Sequence, residues 1–200
     1  MKRYVITLLA ALISPAAAEA QPEVVLADCP AERSEYTLVT EGDEFTITLI
    51  PARTRAGFSS DLYLRLTTPQ RDYWFVFEVA ASQGNITLGP VGDPYASDAR
   101  ETGPANTIEA FRSRWPDAPM DELLSLLRLY ALDAELGFTL AQPQQGQPAP
   151  AWLLMPELNT ALWYHLPALT DDPGAERDPM PRGIFRLTAC LDSTPPAAFP

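Results

Sequence analysis

The sequence predicts a single α+β domain: a mostly antiparallel β-sheet, sandwich-like or barrel-like, with an inserted helical pair. Three observations lead to this fold class. The chain has 200 residues, which suits one domain of ordinary size. Its first half contains several runs in which apolar and polar residues alternate, as half-buried strands require. Apolar residues at helical spacing follow between positions 106 and 137, and further strand-like runs come after them.

The strands of the first half are predicted from this alternation. In 44–50 the side chains of Phe45, Ile47 and Leu49 fall on one face, and the run 35–40 precedes them. Between the two runs, the residues around position 42 are typical of a hairpin turn. Further strands are predicted at 61–67, 72–79 and 85–88, and in the second half at 151–155, 161–166 and 183–190.

Two helices are predicted between these groups of strands. Asn106 and Glu109 form the pattern of a capping box at the start of the first helix. Pro119 begins the second helix, and Gly137 is its predicted C-terminal cap. The apolar stripe of this second helix comprises Leu123, Leu126, Leu127, Tyr130 and Ala134. Residues 141–150 are predicted to be a polar loop within the same domain.

The beginning of the chain has the pattern of a secretory signal peptide. Lys2 and Arg3 form a short positive region, and an apolar stretch follows at 4–13. This stretch is too short to span a bilayer as a helix. Small residues then suit a signal peptidase, so cleavage is predicted after Ala18 or Ala20.

The predicted organisation of the chain follows from that segment. Residues 1–20 form the signal peptide, 21–192 a single exported globular domain and 193–200 a flexible C-terminal tail. No other segment of the sequence is apolar and long enough to span a membrane, so no membrane insertion is expected after cleavage. We therefore expect the mature protein in the periplasm or secreted from the cell.

Two cysteines, Cys29 and Cys190, lie near the two ends of the mature chain. In an exported protein an isolated pair of cysteines predicts a disulfide bond. In the chain-entropy model, closing so long a loop stabilises the fold by about 5 kcal/mol. We therefore expect the two ends of the domain to meet on one side of the fold.

The composition excludes several classes of function. The formal net charge is −12, whereas a nucleic-acid binder or a protein that docks on an anionic membrane needs a basic surface. Lys2 is the only lysine, so the mature chain lacks the amine that Schiff-base chemistry, a P-loop or a Ser-Lys dyad requires. His165 is the only histidine, which excludes zinc sites built on two or three histidines. No cofactor is expected.

One predicted hairpin carries the most specific hypothesis about a site. If residues 68–71 form its loop, strand partners sum to 139, and apolar side chains then meet on one face. On the other face Arg65 lies beside Trp74, where a cation–π contact can form, and Tyr63 faces Val76. Arg65, Trp74 and Tyr63 are therefore the predicted binding residues.

The same register opposes two carboxylates, Asp61 and Glu78. Opposed like charges destabilise a sheet unless a shared proton, a cation or an arginine compensates them. Paired carboxylates beside exposed aromatic rings also suit glycan hydrolysis, with one acting as the acid and the other as base or nucleophile. Two alternatives stay open. Asp61 can lie at a frayed strand end and point to water, or the strands can pair to a sum of 141, which puts Glu78 opposite Tyr63.

Two further groups of residues are candidates with ordinary alternatives. His165, within the strand-like run 161–166, is the histidine that a Ser-His-Asp hydrolase would have to use, although no Gly-x-Ser-x-Gly motif occurs. The acidic residues of 171–178 suit calcium ligation, but they lack EF-hand spacing, and a solvated acidic turn also explains them. The acidic candidates are Asp171, Asp172, Glu176 and Asp178.

Most catalytic machineries are thus excluded, whereas binding is not. The sequence predicts an exported, periplasmic and soluble binding or accessory protein without catalytic activity, whose partner is an unidentified protein or small molecule. The alternatives are a carboxylate-based hydrolase that acts on glycans through Asp61 and Glu78, and a structural domain stabilised by calcium.

Overall fold

The computed structural model of the protein describes residues 28–40, 42–79, 86–172 and 174–200. The predicted signal peptide at 1–20, with both of its cleavage sites, lies outside the described residues. Nine strands and four α-helices lie within them. The strands are β1 (Ser34–Val39), β2 (Glu44–Pro51), β3 (Leu62–Thr67), β4 (Asp72–Val79), β5 (Ile86–Val91), β6 (Arg128–Leu132), β7 (Phe138–Thr139), β8 (Trp152–Leu154) and β9 (Ile184–Cys190). The helices are α1 (Ala99–Thr102), α2 (Thr107–Arg114), α3 (Met120–Leu126) and α4 (Leu158–Tyr164).

The strands form one antiparallel sheet that closes into an eight-stranded barrel. Their order is β5-β4-β3-β2-β1-β9-β8-β6, and β5 pairs with β6 to complete the ring. The ninth strand, β7, adds to β6 outside this ring. The predicted α+β domain with a barrel-like antiparallel sheet is therefore confirmed, and α2 and α3 are the helical pair between the two groups of strands.

Large apolar side chains from the strands fill the interior of the barrel. They belong to one cluster of buried residues, and each is less than 2% exposed. Besides the tyrosines, these side chains include Phe45, Ile47, Leu49, Leu62, Leu64, Phe75, Phe77 and Phe185. An eight-stranded barrel is just wide enough for its side chains to fill, and burial stabilises the fold by about 1.5–3 kcal/mol for each such side chain. The barrel interior is therefore a packed core.

The hairpin of β3 and β4 has the predicted register. The residue numbers of its partners, such as Arg65 and Trp74, sum to 139 rather than to 141. Its turn is closed where the backbone N–H of Thr68 donates to the carbonyl of Arg71 at 2.9 Å. The turn between β1 and β2 also lies where it was predicted, and Gly42 has a φ of 94° there, which side chains with a Cβ rarely adopt.

The second predicted helix is shorter than expected. It was predicted to reach Gly137, but α3 ends at Leu126 and β6 follows almost immediately. Leu129 and Ala131 of β6 face the core, because this segment joins β5 to β8 and so closes the barrel. The apolar residues of this segment include one set at helical spacing and another that alternates as in a strand. Pairing with neighbouring strands decides between the two structures.

The run 161–166 was predicted to be a strand, and this is wrong, because α4 occupies Leu158–Tyr164. The buried side chains of this segment are Leu158, Ala161 and Leu162, whose spacing of three and four residues is that of a helix face. The aromatic run that follows suggested a strand from its composition alone. Its first ring, Trp163, lies on the exposed side of the helix.

The predicted disulfide between Cys29 and Cys190 is confirmed. It joins the residues that precede β1 to the last residue of β9, and these two strands are paired beside it, with Ser34 opposite Cys190. The bond therefore fixes the point at which the first and last strands of the chain meet, as expected from the positions of the two cysteines.

The segment 193–200 is docked on the barrel, contrary to the prediction of a flexible tail. Ala198 is fully buried and pairs in parallel with Ala52. Its backbone N–H donates to the carbonyl of Pro51 at 2.8 Å, while Phe199 donates to the carbonyl of Pro94 at 3.1 Å. Proline-rich composition suggested a loose end, but the backbone groups beyond the end of β2 need partners, and this segment supplies them.

Candidate functional site

Asp61 and Glu78 lie at the same end of the β3–β4 hairpin. The pairing of these strands ends at Tyr63 and Val76, so the ladder does not oppose the two carboxylates directly. The Asp61 carboxylate accepts a hydrogen bond from the backbone N–H of Gln145 at 2.9 Å. Glu78 is exposed on β4, and desolvation raises the pKa of its carboxyl. Among the described residues, the walls of three clefts, of about 460, 170 and 170 Å³, include neither carboxylate, and a catalytic pair of Asp61 and Glu78 stays a prediction.

The predicted binding residues Arg65, Trp74 and Tyr63 lie on the outer face of the barrel. The guanidinium of Arg65 is 5.7 Å from the centre of the Trp74 ring, so the predicted cation–π contact is confirmed. Tyr63 is fully buried, and its hydroxyl donates to the carbonyl of Phe199 at 2.7 Å. Burial raises the pKa of Tyr63 to about 12. The chain itself therefore covers Tyr63 and Trp74, and Arg65 keeps part of its surface exposed.

His165 lies at the C-terminal end of α4, not in a strand. Its side chain is half-buried, and its backbone N–H donates to the carbonyl of Ala161 at 2.8 Å. No side chain of the described residues hydrogen-bonds to its imidazole ring, and a triad would require a serine and a carboxylate on that ring. A catalytic role for His165 stays a prediction that none of these contacts supports.

Of the four acidic candidates in 171–178, Asp178 is the one that is buried. Its side chain is 1% exposed and accepts hydrogen bonds from the hydroxyls of Thr68 at 2.6 Å and Tyr73 at 2.9 Å. Burial, followed by the negative charge of Asp178, raises the pKa of the Tyr73 hydroxyl, which therefore remains a hydrogen-bond donor. Asp178 thus fastens its segment to the β3–β4 hairpin.

The remaining acidic candidates stay at the surface. Asp172 forms an ion pair with Arg71 at 3.1 Å, and Asp171 and Glu176 are exposed. Within the ranges that the structure describes, no three acidic, histidine or cysteine side chains form a group that could hold a metal ion. Calcium binding at this segment therefore stays a prediction without a supporting arrangement of ligands.

An exposed apolar surface lies on the hairpin of β6 and β7. Leu136, Phe138 and Leu140 are 56%, 65% and 72% exposed, and we refer to these three side chains as the hairpin surface. The ring of Phe138 meets the ring of Tyr130 edge-on, with centroids 5.7 Å apart. The rest of the Phe138 ring faces solvent. Three large apolar side chains thus lie uncovered within five positions of the chain.

The turn of this hairpin holds Leu136 in an unfavourable conformation. The Asp133 carboxylate accepts hydrogen bonds from the backbone N–H groups of Gly137 at 2.7 Å and Glu135 at 3.1 Å. Among the described residues other than glycine, Leu136 is the one with a positive φ, at 65°. This left-handed conformation costs an L-residue roughly 1–2 kcal/mol, and Asn or Gly adopts it more readily. A strained and exposed leucine points to a role other than stability.

A cleft of about 460 Å³ lies between this hairpin and the 141–150 loop. Asp133 and Thr139 line it from the hairpin, Pro143 lines it from the loop, and Asp28 lines it from the chain that precedes the barrel. Its volume is within the range of ligand-binding clefts. Its described lining residues include two carboxylates but no arginine, lysine or histidine. We refer to it as the hairpin cleft.

Two smaller clefts of about 170 Å³ each meet at Thr170 and Asp171. One of them is walled by Phe111 and Trp115, whose ring centroids are 4.7 Å apart. The guanidinium of Arg114 lies 4.7 Å above the Trp115 ring. Both clefts are smaller than the usual small-molecule site, so the hairpin cleft has the more suitable size for a ligand.

Comparison of the chain with protein families, with curated proteins and with solved structures finds no match. None of the helices within the described ranges has the length and apolar character that crossing a membrane requires.

Sequence reasoning missed the hairpin surface because it extended the second helix to Gly137, which placed Leu136 in a helix and left Phe138 and Leu140 just beyond its end. The signal that could have found it is the pair Asp133 and Gly137, which flanks a tight turn. Beyond that turn, Phe138 and Leu140 alternate with Thr139, which is the period of a strand rather than a helix.

Proposed function

We propose that this protein is an exported binding or accessory protein without catalytic activity, which holds a segment of a partner protein on the hairpin surface. The observation that carries the proposal is the exposed trio Leu136, Phe138 and Leu140 beside the hairpin cleft. Single exposed apolar residues are ordinary on soluble proteins, whereas large apolar side chains exposed close together point to a site of interaction. These three lie within five positions of one hairpin.

The packed interior of the barrel supports binding on the outside. Eight-stranded barrels that carry a small ligand hold it within the barrel. Here Phe45, Phe75, Phe77 and Phe185 are each at most 1% exposed and fill that space. A partner would therefore meet the outer surface, where the hairpin projects from the ring of strands.

The backbone of the turn also supports the proposal. Leu136 keeps a positive φ that costs stability, and its side chain gains little from burial, because 56% of it is exposed. A residue that serves the fold alone would be replaced at such a position by asparagine or glycine. Strain of this kind is often retained where a side chain is needed for binding.

The proposed compartment is the periplasm or the exterior of the cell. The disulfide between Cys29 and Cys190 supports it, because disulfide bonds persist in oxidising compartments and are rare in the cytosol. The amino-terminal pattern of a signal peptide is the second support.

Photo-crosslinking in the cells that produce the protein tests the proposal. A benzophenone amino acid replaces Phe138 in one variant and Tyr164 in a matched control. Tyr164 is 69% exposed, close to the 65% of Phe138, and α4 follows the opposite end of β8 from the hairpin. We expect one discrete protein adduct from position 138 that is absent from position 164.

The adduct is then identified by mass spectrometry, purified and titrated with the protein. The side chains whose truncation costs more than about 1 kcal/mol are a minority that clusters at the centre of an interface, where the proposal places Phe138. Phe138→Ala is therefore expected to raise the dissociation constant by about fivefold or more. Leu136→Asn is expected to weaken binding too, while it raises the free energy of unfolding by about 1 kcal/mol. Unchanged affinity in both variants, or an equal loss in Tyr164→Ala, would contradict the proposal.

A further inference from the structure

We propose that the partner segment binds as an additional strand on the outer edge of β7, with apolar side chains against Phe138 and basic side chains in the hairpin cleft. This inference rests on the proposed function and specifies the occupant of the site. The occupant is an extended segment of a protein that carries arginine or lysine at alternate positions.

The free edge of β7 provides the backbone contacts for such a strand. The strand order ends at β7, and no strand of the described chain pairs with its second edge. Within the hairpin, the carbonyl of Gly137 accepts a hydrogen bond from the N–H of Asp133 at 2.9 Å. Because backbone groups alternate along a strand, the N–H and C=O of Phe138 point away from β6. Such unpaired groups are a template for strand addition.

The two faces of β7 differ in chemistry. Phe138 contacts Tyr130 on one face, whereas Thr139 lines the hairpin cleft on the other. The side chains of an added strand alternate in the same way, because the period of a strand is two residues. One set would therefore meet the apolar ring, and the other set would enter the cleft.

Charge complementarity determines which side chains suit the cleft. Asp28 and Asp133 line it without a basic residue among its described walls, and Glu135 is exposed in the adjoining turn. The formal net charge of the chain is −12, so an acidic segment would be repelled. A second copy of this chain would bring the same net charge, which disfavours it as the occupant.

Fluorescent octapeptides test the inference on the purified mature protein, and the first three sets differ in charge. All three place valine at alternate positions, and the positions between them carry arginine, threonine or glutamate. A fourth set repeats the arginine peptides with N-methyl groups on one edge of the strand or on the other. Binding is measured by fluorescence anisotropy at low and at high salt, and sedimentation reports whether the protein itself associates.

We expect the arginine set to bind about tenfold more tightly than the glutamate set, with the difference reduced by salt. N-methyl groups on one of the two edges are expected to weaken binding by about tenfold, because they remove the donors of the added ladder. Phe138→Ala is expected to weaken binding by about fivefold. Tyr164→Ala should have no effect.

Any of four results would overturn the inference. The first is equal binding of the arginine and glutamate sets, and the second is unchanged binding whichever edge of the peptide carries the N-methyl groups. The third is no binding by any set below about 1 mM, and the fourth is self-association of the protein that Phe138→Ala abolishes. The last would identify a second copy as the occupant. If the crosslinked partner still needs Phe138 while the peptides behave in one of these ways, strand addition fails and the proposed function stands. If the partner does not need Phe138, the proposed function fails as well.

Discussion

The buried carboxylate of Asp178 is expected to hold its segment on the barrel, and Asp178→Ala removes it. Hydrogen bonds to a charged acceptor stabilise a fold by about 1.5–3 kcal/mol each. The Thr68 hydroxyl keeps an alternative acceptor in the carbonyl of Arg71 at 3.1 Å, whereas the described residues offer the Tyr73 hydroxyl no other acceptor. Removing the carboxylate also removes the cost of burying its charge. We therefore expect a net loss of about 2–4 kcal/mol in the free energy of unfolding.

Asp172 provides a matched control on the same segment. Its ion pair with Arg71 spans 3.1 Å, but the Asp172 side chain is 56% exposed. The Asp172 carboxylate also accepts a hydrogen bond from the backbone N–H of Gly174 at 2.9 Å. Exposed ion pairs are worth about 0.2–1 kcal/mol, and water replaces an exposed hydrogen bond at little cost, so Asp172→Ala is expected to cost about 1 kcal/mol at most. For a domain of this size each kcal/mol corresponds to about 2–4 °C in melting temperature. The expected losses are then about 4–16 °C for Asp178→Ala and at most about 4 °C for Asp172→Ala.

Urea unfolding followed by tryptophan fluorescence measures both free energies. An unchanged dependence on urea concentration would show that the variants expose the same surface on unfolding and can be compared. Asp178→Asn keeps the shape and one acceptor oxygen, so its loss should lie between those of the alanine variant and the control. If Asp178→Ala unfolds within about 0.5 kcal/mol of the unaltered protein, the anchoring role is refuted.

Two other predictions concern the whole fold. Replacing Cys29 and Cys190 by serine is expected to lower the free energy of unfolding by about 2–5 kcal/mol, seen as a lower urea midpoint that a reductant does not lower further. Alkaline pH is expected to destabilise the protein, because burial raises the pKa of Tyr63 from 10.0 to about 12, so the unfolded chain loses this proton first. The free energy of unfolding should therefore fall as the pH rises from about 10 towards 12, and it should fall less in Tyr63→Phe. An equal fall in both proteins, measured by urea unfolding at each pH, would contradict this.

The alternation of apolar and polar residues was sufficient to predict the strands of the first half of the barrel. The register of β3 and β4 follows from matching Leu64 with Phe75 and Leu66 with Tyr73, and the structure pairs these residues. A slip of one residue would turn every apolar side chain to the other face, so a clear pattern leaves few registers. The disulfide was predictable for a similar reason, because Cys29 and Cys190 leave one pairing within the chain.

The second half depends on contacts that no local pattern contains. The run 126–132 contains a set at helical spacing, Leu126, Leu127 and Tyr130, and also the alternating pair Leu129 and Ala131. The alternating pair is buried in the barrel because β6 fills the gap between β5 and β8. The hairpin surface was missed for a related reason, although Asp133 and Gly137 carry a turn signal. Until β6 is known to be a strand, Asp133 to Gly137 reads as the end of a helix rather than as a turn that presents Phe138.

Two apolar regions lie on the outside of the barrel, and the chain covers one of them but not the other. Tyr63 and Trp74 would be exposed on the sheet, but the segment 193–200 covers Tyr63 and the ring of Tyr95 packs against Trp74, so both are at most 7% exposed. Phe138 and Leu140 have no such cover and are 65% and 72% exposed. Covering an apolar ring stabilises a fold by about 1.5–3 kcal/mol, and this chain uses its own residues for that purpose on one face. A second apolar region is left bare on a turn that already costs stability, and this contrast supports the proposal that a partner covers it.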